Sequence, residues 1–151
     1  VYHYTGAPWK SAAVARAATS IYTPTPNGLP GNDDLGALSG WLLWNMIGLY
    51  PENPGSPVYL VGSPHFEKVT LHRPSGDLVI ESPGASTVSK FVTGGSVNAQ
   101  PLVNSWLVLP RETTTLRLNT SAAPDMSWAS GAAQRPPSLS SNGLTAFSCV
   151  P

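Results

Sequence analysis

Two adjacent carboxylates, Asp33 and Asp34, stand beside Asn32 in a glycine-rich stretch, Gly28-Leu29-Pro30-Gly31-Asn32-Asp33-Asp34-Leu35-Gly36. The chain has 8 acidic residues in 151, so setting two side by side is a costly use of scarce charge. Adjacent anions repel unless a cation, a proton or a helix N-terminus offsets the repulsion. Several chemistries suit the set. A carboxylate can take a proton from water as a general base. Asp, Asn and loop carbonyls are the hard oxygen ligands that Ca2+ takes. Glycines at 28, 31 and 36 would let the backbone come close to an ion or another ligand. The purely structural alternative is an N-cap with a favourably charged first turn, because an apolar helical run follows at once.

The elements that must position this loop change character near Pro51. Before it the periodicity is helical. Pro8 suits a first helical turn, and over 9–22 the residues Val14, Ala17, Ala18 and Ile21 share one helix face. Pro24 and Pro26 end that run. A second helix is expected to start near Asp33 or Asp34, with Leu35, Leu38, Leu42, Met46 and Leu49 repeating at spacings of three and four. Trp41, Trp44 and Ile47 make it apolar almost all round, as in a helix buried in a larger body. Gly48 and Pro51 bracket its end. Beyond Pro51 come short strands at 58–61, 69–72, 78–81, 88–92, 106–109 and 114–118. The two flanking Pro74-Ser75-Gly76-Asp77 read as a hairpin. The division is 1–51 helical with the site loop at 28–36, 52–120 β-rich, and 121–151 an irregular tail rich in Pro, Ser and Ala.

Composition narrows the partners. Eight basic residues balance the acids, which argues against nucleic acid and against an anionic membrane surface. No apolar run approaches the roughly 20 residues of a spanning helix. The start, Val1-Tyr2-His3-Tyr4, has neither Met nor a basic leader, and the chain reads as part of a longer protein. The single cysteine, Cys149, excludes an internal disulfide and Cys-pair metal or redox sites. His3, His65 and His72 do not fall at metal-ligand spacing; His65 reads as a loop residue and His72 as solvated beside a turn. No Gly-x-Ser-x-Gly elbow supports a serine nucleophile. Trp44 reads as core and Trp9 as packing, while Trp41 is either core or a face on which a sugar ring stacks. Asn119-Thr120-Ser121 fits an N-glycosylation acceptor.

The ordered set formed by the 28–36 loop, Ser39, Trp41, Trp44, Ile47-Gly48-Leu49-Tyr50-Pro51, Tyr59-Leu60-Val61-Gly62-Ser63-Pro64 and Phe66 resembles glycoside hydrolase family 92, the calcium-dependent inverting α-mannosidases. Tyr4-Thr5-Gly6-Ala7-Pro8-Trp9-Lys10, Val97-Asn98-Ala99-Gln100-Pro101-Leu102 and Trp106 extend the resemblance over roughly residues 1–120, and the wording of 41–51 is closest to fungal members. The resemblance implies an α+β fragment: the last helices of an (α/α)6 barrel followed by a β-rich C-terminal region, with the rest of the catalytic domain and an N-terminal β-sandwich as partners. It implies an exo-acting enzyme that hydrolyses mannose-containing glycans, secreted or extracytoplasmic. The catalytic carboxylates would be Asp34, as general base, and Asp33; Asn32, Gly31 and Trp41 would contact substrate; Asn32 and Asp34 would bind calcium. The family's glutamate acid and its Asn-Glu-Pro segment have no counterpart here, so only the base side of the reaction would lie in these residues. Two other readings are a non-catalytic β-rich carbohydrate-binding or packing module and a different (α/α) barrel glycosidase.

Overall fold

The computed structural model describes residues 1–53, 55–109 and 111–138. Cys149 and the end of the expected tail lie outside the described residues. Two helices, α1 (Pro8–Thr19) and α2 (Ala37–Ile47), precede eight strands: β1 (Leu49–Pro51), β2 (Val58–Val61), β3 (Lys68–Leu71), β4 (Leu78–Glu81), β5 (Phe91–Val97), β6 (Gln100–Pro101), β7 (Trp106–Val108) and β8 (Thr115–Ser121).

Helix α1 opens on Pro8 and carries Arg16 in its last turn, where a cation complements the helix dipole. It ends at Thr19, short of the expected 22. Its buried residues are Pro8, Ala12 and Thr19. The expected face was a different one: Val14 is 55% exposed and Ile21, beyond the helix, 57%. Alanines on several sides of α1 leave no strong apolar stripe, so the packing partner chooses the face. That choice is made by Arg16, which donates from Nε to Ser63 Oγ at 2.7 Å and from its terminal nitrogen to the Pro64 carbonyl.

Helix α2 starts at Ala37, not at Asp33 or Asp34, because Asp34, Leu35 and Gly36 all take positive φ (50°, 60° and 93°). It stops at Ile47, and Leu49 and Tyr50 belong to β1. Gly48 is the cause. Its φ of 91° is left-handed, its N–H donates back to Trp44 and Asn45 at 3.2 Å, and a Cβ there would lie 2.9 Å from Pro64.

The strands form two sheets. One is antiparallel, in the order β1-β2-β7; the other runs β3-β4-β8-β5-β6 and is mixed, with β4 and β8 parallel. The hairpin expected around 74–77 is present, pairing Lys68 with Glu81 and Leu71 with Leu78. Strand β5 begins later than expected and runs to Val97. Ser86 and Ser89 close a turn on themselves, which keeps 86–89 out of the ladder. Gly95 then crosses Arg117 where a Cβ would lie 2.0 Å from the carbonyl oxygen. Strands β1 and β6 are too short for any periodicity to show. Ile47, Leu49, Val61, Leu78, Ile80, Val92, Leu102, Leu107, Leu116 and Leu118 form the core, with Trp44 and Trp128 packed against it. After β8 the chain is irregular apart from a 3-10 turn at Ala132–Gln134. Asp125 accepts from the amides of Ser127 (2.8 Å) and Trp128 (3.2 Å), which seats the Trp128 indole.

Asn98 pins one end of this layer. At φ 44° it turns β5 into β6, and its Oδ1 accepts from the amides of Thr114 (3.0 Å) and Thr115 (3.1 Å). Asn98→Ala should cost about 1–3 kcal/mol by leaving those donors unpaired, and Asn98→Asp, which keeps the acceptor, should lose much less; urea unfolding measures both.

His65 lies between Thr19 Oγ1, 3.4 Å from its Nε2, and the Arg16 guanidinium. Burial, then the Arg16 charge, lowers its pKa to about 4, and burial lowers His3 to about 4 as well. Both are neutral in the fold, so the unfolded chain binds more protons below about 6.5. Their contribution is complete above that pH and declines as pH falls towards 4. The melting temperature should fall over that window, and His65→Asn should flatten the decline.

Candidate active site

The site loop is closed at its base before it reaches the carboxylates. Thr23 N–H donates to the Gly28 carbonyl at 3.0 Å, and Gly28 N–H to the Thr25 carbonyl at 2.9 Å. A Cβ at Gly28 would stand 1.8 Å from the Thr23 carbonyl oxygen, so only glycine fits. Gly28 therefore serves the loop's own backbone. Gly31 differs: its nearest neighbour would be Leu38 Cδ1 at 4.0 Å, which leaves it open.

Asp33 and Asp34 then part. Asp33 is half-buried, and its Oδ1 accepts from the backbone amide of Ser39 at 2.8 Å and from the Ser39 hydroxyl at 3.0 Å. Its carbonyl accepts from Leu38 N–H at 3.2 Å. Asp33 thus satisfies two of the orphan donors of the first turn of α2 from a position ahead of the helix, and the partial positive charge there absorbs its anion. The capping alternative weighed from sequence describes this residue. Asp34 has no such occupation. Its carbonyl accepts from Ala37 N–H at 3.4 Å, and its carboxylate is exposed with no hydrogen-bond partner among the described residues. Asn32 is exposed on the same loop.

The backbone that separates the two carboxylates is strained. A left-handed conformation costs a non-glycine residue roughly 1–2 kcal/mol, and Leu35 has no polar side chain to offset it. Such outliers cluster where a site demands a particular orientation. Here the turn lifts Asp34 away from the helix that Asp33 caps.

Trp41 is one turn into α2. Its indole stacks on Tyr22 with ring centres 5.9 Å apart and planes 14° from parallel. Tyr22 is the residue that sequence reasoning missed; its place just after α1 gave no periodic signal. Trp41 also lines a cavity of about 340 Å³ with Asn45, Tyr50 and Glu52. None of Gly31, Asn32, Asp33 and Asp34 lines that cavity. Trp44 packs on Tyr59 at the edge of the core. Among the described residues no three of His, Cys, Asp and Glu converge as a metal site.

Comparison with known proteins assigns this architecture. Residues 1–122 match the glycosyl hydrolase family 92 catalytic domain. A protein described as an uncharacterized secreted glycosidase from the fungus Arthroderma benhamiae is 32% identical over 148 residues, covering 92% of this chain and 19% of its own. The solved structure of a family 92 α-mannosidase from Bacteroides thetaiotaomicron superposes with a TM-score of 0.84 at 31% identity, over 91% of this chain and 19% of that one. A family 92 inverting mannosidase from the same bacterium gives 0.84 at 30% identity, over 92% and 19%. The class is therefore that of the glycoside hydrolases, represented here by a mixed α+β region. The chain belongs to glycoside hydrolase family 92. It spans about a fifth of the length of these relatives.

The division of labour between the carboxylates can be read by hydrogen exchange. Asp33→Ala should destabilise the start of α2 by about 0.5–2 kcal/mol and speed exchange at the Leu38 and Ser39 amides. Asp34→Ala should leave both amides at the wild-type rate.

Proposed function

We infer that these residues are part of an exo-acting α-mannosidase that hydrolyses mannose-containing glycans with inversion, and that Asp34 is its general base. The observation that carries this reading is the exposed, unpartnered carboxylate of Asp34, turned off the helix by three left-handed residues while its neighbour is engaged as a cap. An inverting glycosidase needs two carboxyl groups roughly 6.5–9.5 Å apart, with a water between the base and the sugar. Asp34 takes the proton of that water as its oxygen attacks C1 from the face opposite the leaving group. The acid that protonates the leaving oxygen comes from elsewhere in the whole enzyme. Asp33 orients the loop through Ser39, and Asn32 and Gly31 present polar and backbone groups to the substrate. Trp41, stacked on Tyr22, supports the helix behind the loop and offers an edge to the neighbouring cavity.

Asn32 and Asp34 fit calcium as exposed oxygen donors on one loop, and they would hold it together with ligands from outside these residues, since Ca2+ takes six to eight oxygens. A bound calcium supplies charge that favours the ionised carboxylate and a point of attachment for sugar hydroxyls. The exposed apolar residues Val14, Leu35 and Leu43 are the surface that the remaining helices of an (α/α)6 barrel cover, with a β-sandwich domain preceding them. Secretion follows the description of the fungal relative.

In the full-length enzyme, Asp34→Ala should lower kcat on an aryl α-mannoside by at least about 100-fold, with melting unchanged. Proton NMR of the wild-type reaction should show β-mannose as the first product. Near-normal turnover in Asp34→Ala, or α-mannose first, overturns the assignment.

A further inference from the structure

We propose that Asn119 is an N-glycosylation site, its side-chain amide carrying an oligosaccharide that lies over the bare backbone of Gly94. Asn119-Thr120-Ser121 is the single Asn-x-Ser/Thr triplet in the chain. A sequence match of this kind is cheap, and the placement in the fold is what gives it weight. Strand β8 alternates, with Leu116 and Leu118 buried and Arg117 and Asn119 exposed. A glycan at 119 therefore leaves from the solvent face, whereas one residue earlier it would enter the core.

Across the ladder, Asn119 pairs with Gly94, next to a bulge that interrupts the β5–β8 register. A Cβ at Gly94 would lie 3.9 Å from Asn119 Nδ2. The nitrogen that would carry the sugar thus leans over the one cross-strand neighbour that has no side chain. Its amide takes no hydrogen bond among the described residues, so nothing in the fold is given up when it is substituted. The flanking residues keep to themselves: Arg117 reaches back to Glu81 at 3.5 Å, and Thr120 turns under the strand to the Pro83 carbonyl at 3.1 Å. Asn119 is thus exposed on the face that a bulky, solvated group needs, beside a glycine, while Thr93 turns to the Asn119 carbonyl and leaves the side-chain amide unengaged.

The covalent step is the ordinary one for this modification. Asn119 Nδ2 attacks C1 of a lipid-pyrophosphate-linked oligosaccharide. The N–C1 bond forms as the C1–O bond breaks, the pyrophosphate leaves on its lipid, and the amide proton passes to a base of the transferring enzyme. The proposal rests on the secretion inferred above, because the donor lies on the secretory route of eukaryotic cells. Attaching a secretion leader separates the two.

The full-length protein, secreted from yeast behind such a leader, is digested with trypsin before and after peptide-N-glycosidase. The peptide that follows Arg117 should lose one glycan in mass and return with Asp at 119. Asn119→Gln and Ser121→Ala should abolish the shift at unchanged secretion, and Ser121→Thr should retain it. An unmodified Asn119 in the secreted wild type, or a shift that survives Ser121→Ala, overturns the proposal. Modification behind the leader together with intracellular retention of the full-length protein expressed with its own N-terminus upholds Asn119 as an acceptor and refutes secretion alone.

Discussion

The left-handed turn at Gly48 is the constraint on which the relation of helix to sheet depends. A helix that ends here must reverse at once, because Leu49, the next residue, is fully buried in the core. Gly48 makes the reversal possible in two ways. Its φ of 91° returns its own N–H to the carbonyls of Trp44 and Asn45, and its missing Cβ admits Pro64 to within contact. Gly62 N–H then bonds to the Gly48 carbonyl at 2.9 Å, and His65 N–H to that of Met46 at 3.0 Å. Two carbonyls at the end of α2 are thus satisfied by the loop after β2, which joins helix to sheet through backbone hydrogen bonds.

The same loop takes the other helix. Arg16 spans from α1 to Ser63 and Pro64, and Ser63 donates in turn to the Lys90 carbonyl at 2.6 Å. Ser63 is only 2% exposed, so its hydroxyl, which accepts from Arg16 and donates to Lys90, is satisfied by protein groups at both ends. His65 stays neutral beside it because partial burial, and then the charge of Arg16, disfavour a second cation there. The C-terminal halves of both helices are thus tied to the loop after β2, while Trp44 packs α2 on Tyr59; the start of α2 and the loop before it lie at the opposite end of that helix.

At that end, the first turn of α2 exposes backbone donors, and something acidic must meet them. Asp33 does so from outside the helix, and the three left-handed residues that follow are the geometric consequence: the chain has to travel from the cap back to the helix axis in very few residues. Asp34 is carried on that excursion. Two adjacent carboxylates coexist because one accepts from the first turn of a helix and the other is left to solvent.

Much of this was legible in the sequence. Pro8, Pro24 and Gly48 mark where helices can start and must stop, because ring closure and a missing Cβ act locally. Pro74-Ser75-Gly76-Asp77 forces a hairpin for the same reason, and the acidic loop announced itself by residue type and spacing. Other features were hidden. Strands β1 and β6 exist only because partners pair with them. The buried face of α1 is set by Arg16 reaching a distant loop, against the more apolar side that the sequence pattern favoured. The start of α2 moved three residues because Asp33 satisfies its donors through Ser39. Gly28 and Gly95 are each required by a carbonyl at about 2 Å from where a Cβ would stand, that of Thr23 within the same loop and that of Arg117 on the paired strand. Local chemistry determined the turns, the candidate carboxylates and the family. Which carboxylate caps and which is free was decided by the tertiary structure, because a hydrogen bond over six residues depends on where the backbone between them is made to go.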